Sequence, residues 1–157
     1  NVRNVLAWIW EYFENFNING GIYMASERYE KGMDVLKDFN LVDQHHPEGH
    51  MDIGAGFKDL APDLEDFVVE FAFGDIYGRE GIDPKQKVLV TMASLVAQGI
   101  PQIEMHVKTG IKVGLTPEEI VGAIIHILPY AGFPKVLNGL KAVQKVFSEQ
   151  GITVKTK

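Results

Sequence analysis

The strongest constraint on the fold is the punctuation of residues 83 to 151, where prolines stand at helix starts and glycines at helix ends. Asp83 before Pro84 supplies a side-chain acceptor for the first free amides and a ring whose fixed φ suits the first helical position, so a helix runs to about Gln98. Pro101 opens the next helix and Gly114 ends it. In "GLTPEEI", Thr116 and Glu119 have capping-box spacing around Pro117, and the helix they start turns Ile120, Ala123, Ile124 and Ile127 inward. Pro129, near its end, predicts a kink or an early stop, because proline offers no amide to the preceding turn. A final helix from about Pro134 to Gln150 buries Val136, Leu140, Val143 and Phe147 before Gly151 terminates it.

The first half reads the same way with weaker boundaries. "NVRNVLAWIWEYFENF" spaces Val2, Leu6, Ile9, Phe13 and Phe16 as a helix face, with Trp8, Trp10 and Tyr12 spreading apolar surface to its other sides, and "NINGG" breaks it. Tyr29, Met33, Leu36 and Phe39 form the apolar stripe of a second helix. Residues 40 to 58 carry four glycine or proline breakers and read as a loop. A third helix, "APDLEDFVVEFAFGDIYG", is entered through Pro62 in its first turn. With no strand alternation anywhere, the fold class is all-α, and 157 residues suit one domain. The run "VLVTMASLVA" is apolar or small nearly all round, so its helix needs neighbours on every side; self-association supplies them most easily in a chain this short.

Composition then removes whole classes of function. The chain has no cysteine, which excludes disulfides, thiolate metal sites and thiol peroxidase chemistry. Fifteen basic against twenty-one acidic side chains leave a formal charge of -6, which repels nucleic-acid backbones and anionic membranes. No apolar run is long enough to span a bilayer and no leader pattern opens the chain, so a cytoplasmic protein is expected.

Residues 73 to 152 carry three further signatures in order: "PQIEMH", "GLTPEEI" and "YAGFPKVLNGL". In combination they resemble the carboxymuconolactone decarboxylase family, and a weaker likeness reaches back to about Met24. The resemblance implies an alkylhydroperoxidase D-like helical fold over residues 24–152, a short tail at 153–157, and assembly as a homotrimer or homohexamer with sites near subunit boundaries. Residues 1–23 match nothing in the family. They are an arm docking on a neighbouring subunit, a leader ahead of a start at Met24, or a membrane-facing helix; the last is disfavoured because its polar face lacks basic residues.

The implied reaction removes carbon dioxide from a small carboxylated lactone or related cyclic acid and needs no metal or organic cofactor. When the carboxylate leaves, its electron pair spreads through the ring double bond onto the lactone carbonyl oxygen, where a hydrogen-bond donor stabilises it, and a proton must then reach carbon. By its residue context alone, beside Ile103, Val107 and Gly110, His106 reads as a hydrogen-bonded packing residue; by the resemblance it is the donor or acid. The second carboxylate of such a substrate calls for a cation. Arg79, Lys85 and Lys87 are nearest the motifs, although each also reads as a solvated surface charge. His126 and Tyr130, four residues apart, are candidate pocket-lining residues sharing a face with Gly122, or Tyr130 anchors a helix end through its hydroxyl. Glu104 points away from His106.

The pattern also departs from the family. Gly122 and Val88 occupy often acidic positions, and His126 stands where glutamine is common. A separate tract, "DQHHPEGHMD" at residues 43–52, gathers three histidines and several carboxylates in the manner of a zinc- or nickel-binding stretch. Its loop-like setting argues against a built metal site, so no metal is assigned.

Overall fold

The computed structural model describes residues 25–42, 57 and 59–154, and every regular element among them is helical. The aromatic segment 1–23 and the histidine tract 43–52 lie outside the described residues.

Helix α1 spans Glu27–Asp38. It starts because the Ser26 hydroxyl accepts from the Tyr29 amide at 3.0 Å, and Glu27, Glu30 and Lys37 complement its dipole at the two ends. Leu36 and Phe39 are buried, as the apolar stripe predicts.

The next helix begins later than the sequence suggests. Pro62 lies in a turn closed by the Leu64 amide on Ala61 O at 3.2 Å; Asp63 is the N-cap and α2 covers Leu64–Phe67. It runs directly into a π-helical stretch, Val68–Tyr77, ended by the Gly78 amide reaching back five residues to Phe73 O at 2.8 Å.

This wide coil packs against α1 at van der Waals limits. A Cβ on Gly32 would stand 2.1 Å from Val69 O, and one on Gly74 would stand 2.6 Å from Arg28 O. Glycine is therefore required where the two backbones meet. Arg28 pairs with Asp75 and Glu70 across the crossing, and Ser26 bonds Glu70. The hydrogen bond and charge of Arg28 hold the Asp75 carboxyl below its usual range, while Asp75 raises the guanidinium.

Helix α3, Pro84–Gln98, is the hub of the remaining elements. Its capping box is complete: Asp83 Oδ1 accepts from the Gln86 amide at 2.8 Å, and Gln86 Oε1 accepts from the Asp83 amide at 2.9 Å. Helix α4 spans Ile103–Lys112; Pro101 falls in the preceding bend, and Gln102 caps without a side-chain bond. Gly114, at φ +85°, turns the chain back as expected.

Helix α5, Pro117–His126, has the predicted Thr116–Glu119 box at 3.1 and 2.7 Å, which holds the Glu119 carboxyl below its usual range. The Pro129 interruption falls at Ile127, after which α6, Leu128–Ala131, precedes α7, Phe133–Gln150.

One core joins all of this. Val88, Met92 and Val96 of α3 meet Val107, Ile120, Ile124, Val136, Val143 and Val146 with almost no exposure. Each such side chain contributes roughly 1.5–3 kcal/mol by leaving water. The N-terminal pair joins this bundle through Leu36, Phe39 and Phe73, with the Tyr77 ring 5.3 Å from Phe39 and 5.2 Å from Phe73. The expectation that α3 would be enclosed all round is met on its inner side only, since Val90 in its middle is 61% exposed.

No helix among the described residues is long and apolar enough to cross a membrane.

Candidate functional site

His106 sits in the first half of α4, next to the buried stripe Ile103, Val107 and Gly110. At 100° per residue it projects between that stripe and buried Thr109, yet the side chain is only half-buried. No hydrogen bond or ion pair reaches the imidazole among the described residues, and burial alone lowers its proton affinity from the ordinary 6.5. The ring is therefore neutral at pH 7, with one N–H to donate and one lone pair to accept.

Two of the three candidate cations come together at the end of the π-helical stretch. Arg79 and Lys87 line a cleft of about 320 Å³ whose apolar walls are Ile76, Ile82 and Val90. The Lys87 ammonium is already engaged: it donates to Tyr77 O at 2.5 Å and to Arg79 O at 2.7 Å, serving carbonyls left free at the helix end. A substrate carboxylate would reach this ammonium only by competing with those two carbonyls. Arg79 is exposed, lines this cleft together with Glu80, and has no ion pair among the described residues. Lys85 lies elsewhere, its Nζ 3.7 Å from where a Gly114 Cβ would stand, in the field of Glu119.

Sequence reasoning passed over the two polar residues that build the cleft. Thr91 Oγ1 donates to Lys87 O at 2.9 Å, leaving the Tyr77 hydroxyl to donate to Thr91 at 2.7 Å. A signal was present, since Thr91 follows Lys87 by four residues and shares its face of α3.

His126 closes α5 and Tyr130 lies in α6, both exposed, with the break at Ile127 between them. The Tyr130 hydroxyl anchors no helix end: the side chain is 82% exposed with no hydrogen bond among the described residues. Gly122 faces open space, with nothing within 4 Å of an added Cβ, whereas Val88 is buried in the core beside Gly110. An acidic residue at position 122 would thus be accommodated, and one at 88 would be an unpaired buried charge. Glu104 points to the opposite flank of α4 and pairs with Lys145 at 2.7 Å rather than standing free in solvent.

Among the described residues no group of three potential ligands is placed to hold a metal. His106, His126 and Tyr130 line neither the Arg79 cleft nor the one that opens between the α3–α4 turn and α7.

Comparison with known proteins places these features in a lineage. The chain is 28% identical over 127 residues to a 4-carboxymuconolactone decarboxylase of Acinetobacter baylyi, covering 80% of this chain and 91% of that one. It is 28% identical over 130 residues to an uncharacterised 15.0 kDa protein of Paracoccus denitrificans, covering 81% and 92% of the two chains. It is also 28% identical over 122 residues to a nitrosuccinic acid decarboxylase of Metarhizium robertsii, covering 77% and 82%. The family model for carboxymuconolactone decarboxylases matches residues 62–145, which run from the turn before α2 to Lys145 of α7 and include His106, Arg79 and both capping boxes. On that match, more than half of its length, the chain belongs to the carboxymuconolactone decarboxylase family.

Proposed function

We propose that this protein is a cofactor-independent decarboxylase of the 4-carboxymuconolactone decarboxylase type, acting on a small carboxylated lactone or related cyclic acid. The observation that carries the reading is His106 itself: a half-buried imidazole with no hydrogen bond among the described residues, whose burial favours the neutral ring, in the "PQIEMH" motif that resembles the family's. Two relatives of this chain are named as decarboxylases, which supports the reaction type.

In the reaction the bond from ring carbon to carboxylate breaks, carbon dioxide leaves, and the bonding pair moves through the ring double bond to the lactone carbonyl oxygen. The N–H of neutral His106 donates to that oxygen as charge develops. A proton then returns to carbon, relayed through the same imidazole. Arg79, which lines a separate cleft on the single chain, meets the retained carboxylate where assembly of copies brings it to a His106.

The pH profile separates the two roles open to the histidine. Donation by the neutral ring makes kcat/KM level above the His106 pKa and lower as pH falls through it, at a value below 6.5. An imidazolium acting as standing acid gives the opposite limb. Lactone consumption followed from about pH 5 to 8 measures this. Rates no faster than buffer across that range would remove the decarboxylase reading.

The exposed apolar side chains favour a completed site only in an assembly. Ile125, Tyr130, Phe133 and Leu137 lie exposed from α5 to α7, and Phe67 and Phe71 lie exposed one turn apart at the start of the π-helical stretch. Such surface on one chain fits burial against copies of itself. The protein is accordingly a homotrimer or homohexamer in this reading, and size exclusion with light scattering should give a mass about three or six times that of the chain. A monomer at micromolar concentration would contradict it.

A second reading, a differently specialised oligomer that binds a small apolar ligand without turning it over, draws on Gly122. No carboxylate stands at this often acidic position, and the space beside it is open.

A further inference from the structure

The largest cleft described on the chain lies away from His106. It has a volume of about 380 Å³, within the range of small-molecule sites, and opens between the turn from α3 to α4 and one side of α7. Its inner surface is apolar: Val96, Ile103 and Gly139 are buried, with Ala142 partly exposed beside them. Gly139 sets the depth, because a Cβ there would come within 2.9 Å of the Val96 side chain where α7 crosses α3.

The rim inverts the charge of the whole molecule. In a chain of net -6, this cleft gathers Lys135, Lys141 and Lys145 against one carboxylate, Glu104. Lys145 is neutralised by Glu104, whose two oxygens lie 3.0 and 2.7 Å from its Nζ, an arrangement that also raises its proton affinity. Lys135 is spent on Ala97 O at 2.6 Å, near the carbonyl end of α3. Lys141 is exposed and has no partner among the described residues, so one uncompensated cation overhangs an apolar floor.

We propose that this cleft is a second ligand site, for a small organic monoanion with a flat apolar body and a single carboxylate. The body covers Val96, Ile103 and Ala142 and the carboxylate meets Lys141, with the Lys145 ammonium within the same rim. A dianion or inorganic phosphate fits less well, because the floor offers no polar group to a second charge and would lose its apolar contact. Glu104 lies two residues from His106 and hence on the opposite flank of α4. The site is therefore separate from the His106 flank and does not depend on the decarboxylase reading.

Naphthoate, followed by its own fluorescence, tests this on the full chain. Saturable binding to wild type is expected below about 5 mM. Lys141→Glu should weaken it by about tenfold, since an attraction is replaced by a repulsion at a partly screened site. Lys37→Glu, the same change of net charge on the exposed face of α1, should leave it within about twofold. Asn138→Trp, exposed at the cleft mouth, should block binding without altering charge. Neutral naphthamide should bind at least fivefold more weakly, by roughly the same electrostatic reasoning. His106→Asn should change nothing. The proposal is overturned by equal losses from the two charge reversals, by equal affinity for the acid and the amide, by sensitivity to His106, or by no saturation at all.

Discussion

His106→Ala is expected to lower kcat/KM for lactone decarboxylation by about 10²–10³-fold, the usual consequence of removing one donor from a developing oxyanion together with the group that relays the proton. The loss should fall mainly on kcat, since the donor is needed most when charge reaches the carbonyl oxygen. Folding is only mildly at stake. The imidazole is half-buried and makes no hydrogen bond among the described residues, so its removal leaves no orphaned partner.

His106→Asn sharpens the experiment. Its amide N–H still donates but does not titrate, so part of the rate should return and the acid limb of the pH profile should vanish. A variant of either kind within twofold of wild type would sink the assignment of His106, whatever the activity of the protein.

Gly32→Ala is the largest stability effect expected. An alanine methyl would overlap Val69 O at 2.1 Å, and the obstacle is backbone, so no rotamer relieves it. Either α1 moves off the π-helical stretch, uncovering Leu36 and Phe39, or the stretch rewinds and the pairs of Arg28 with Asp75 and Glu70 are lost. A destabilisation of about 3 kcal/mol follows, lowering Tm by roughly 10 °C for a chain of this length. Glu30→Ala, exposed on the same helix, should cost no more than about 0.5 kcal/mol. Thermal unfolding by circular dichroism compares them directly, and a Gly32→Ala protein as stable as Glu30→Ala would show that α1 does not pack as described.

How much was legible in advance depended on how local each signal was. The caps at Asp83 and Thr116, the turn at Gly114, the break near Pro129 and the stop at Gly151 were readable because each acts over a single turn of backbone and needs no tertiary partner. The buried stripes of α1, α5 and α7 followed from spacing alone, and the order of three motifs was enough to suggest the family later borne out by the match over residues 62–145. Local signals failed where neighbours intervene. Pro62 was drawn into a turn ahead of Asp63, and residues 68–77 widened into a π-helix whose glycine contact with α1 involves a partner forty residues away in sequence, by rough count.

The sequence by itself thus determined the helical class, most of the helix boundaries and the exclusion of thiol chemistry, because periodicity, capping and the lack of any cysteine are properties of short stretches or of composition. Only the tertiary structure decided which charges are free. It spent Lys87 on two carbonyls and Lys145 on Glu104, and left Arg79 and Lys141 overhanging separate clefts. The physical reason is that a charged group is available to a ligand only when no nearer carbonyl or carboxylate has claimed it, and which acceptors are near is set by the crossing of helices distant in sequence.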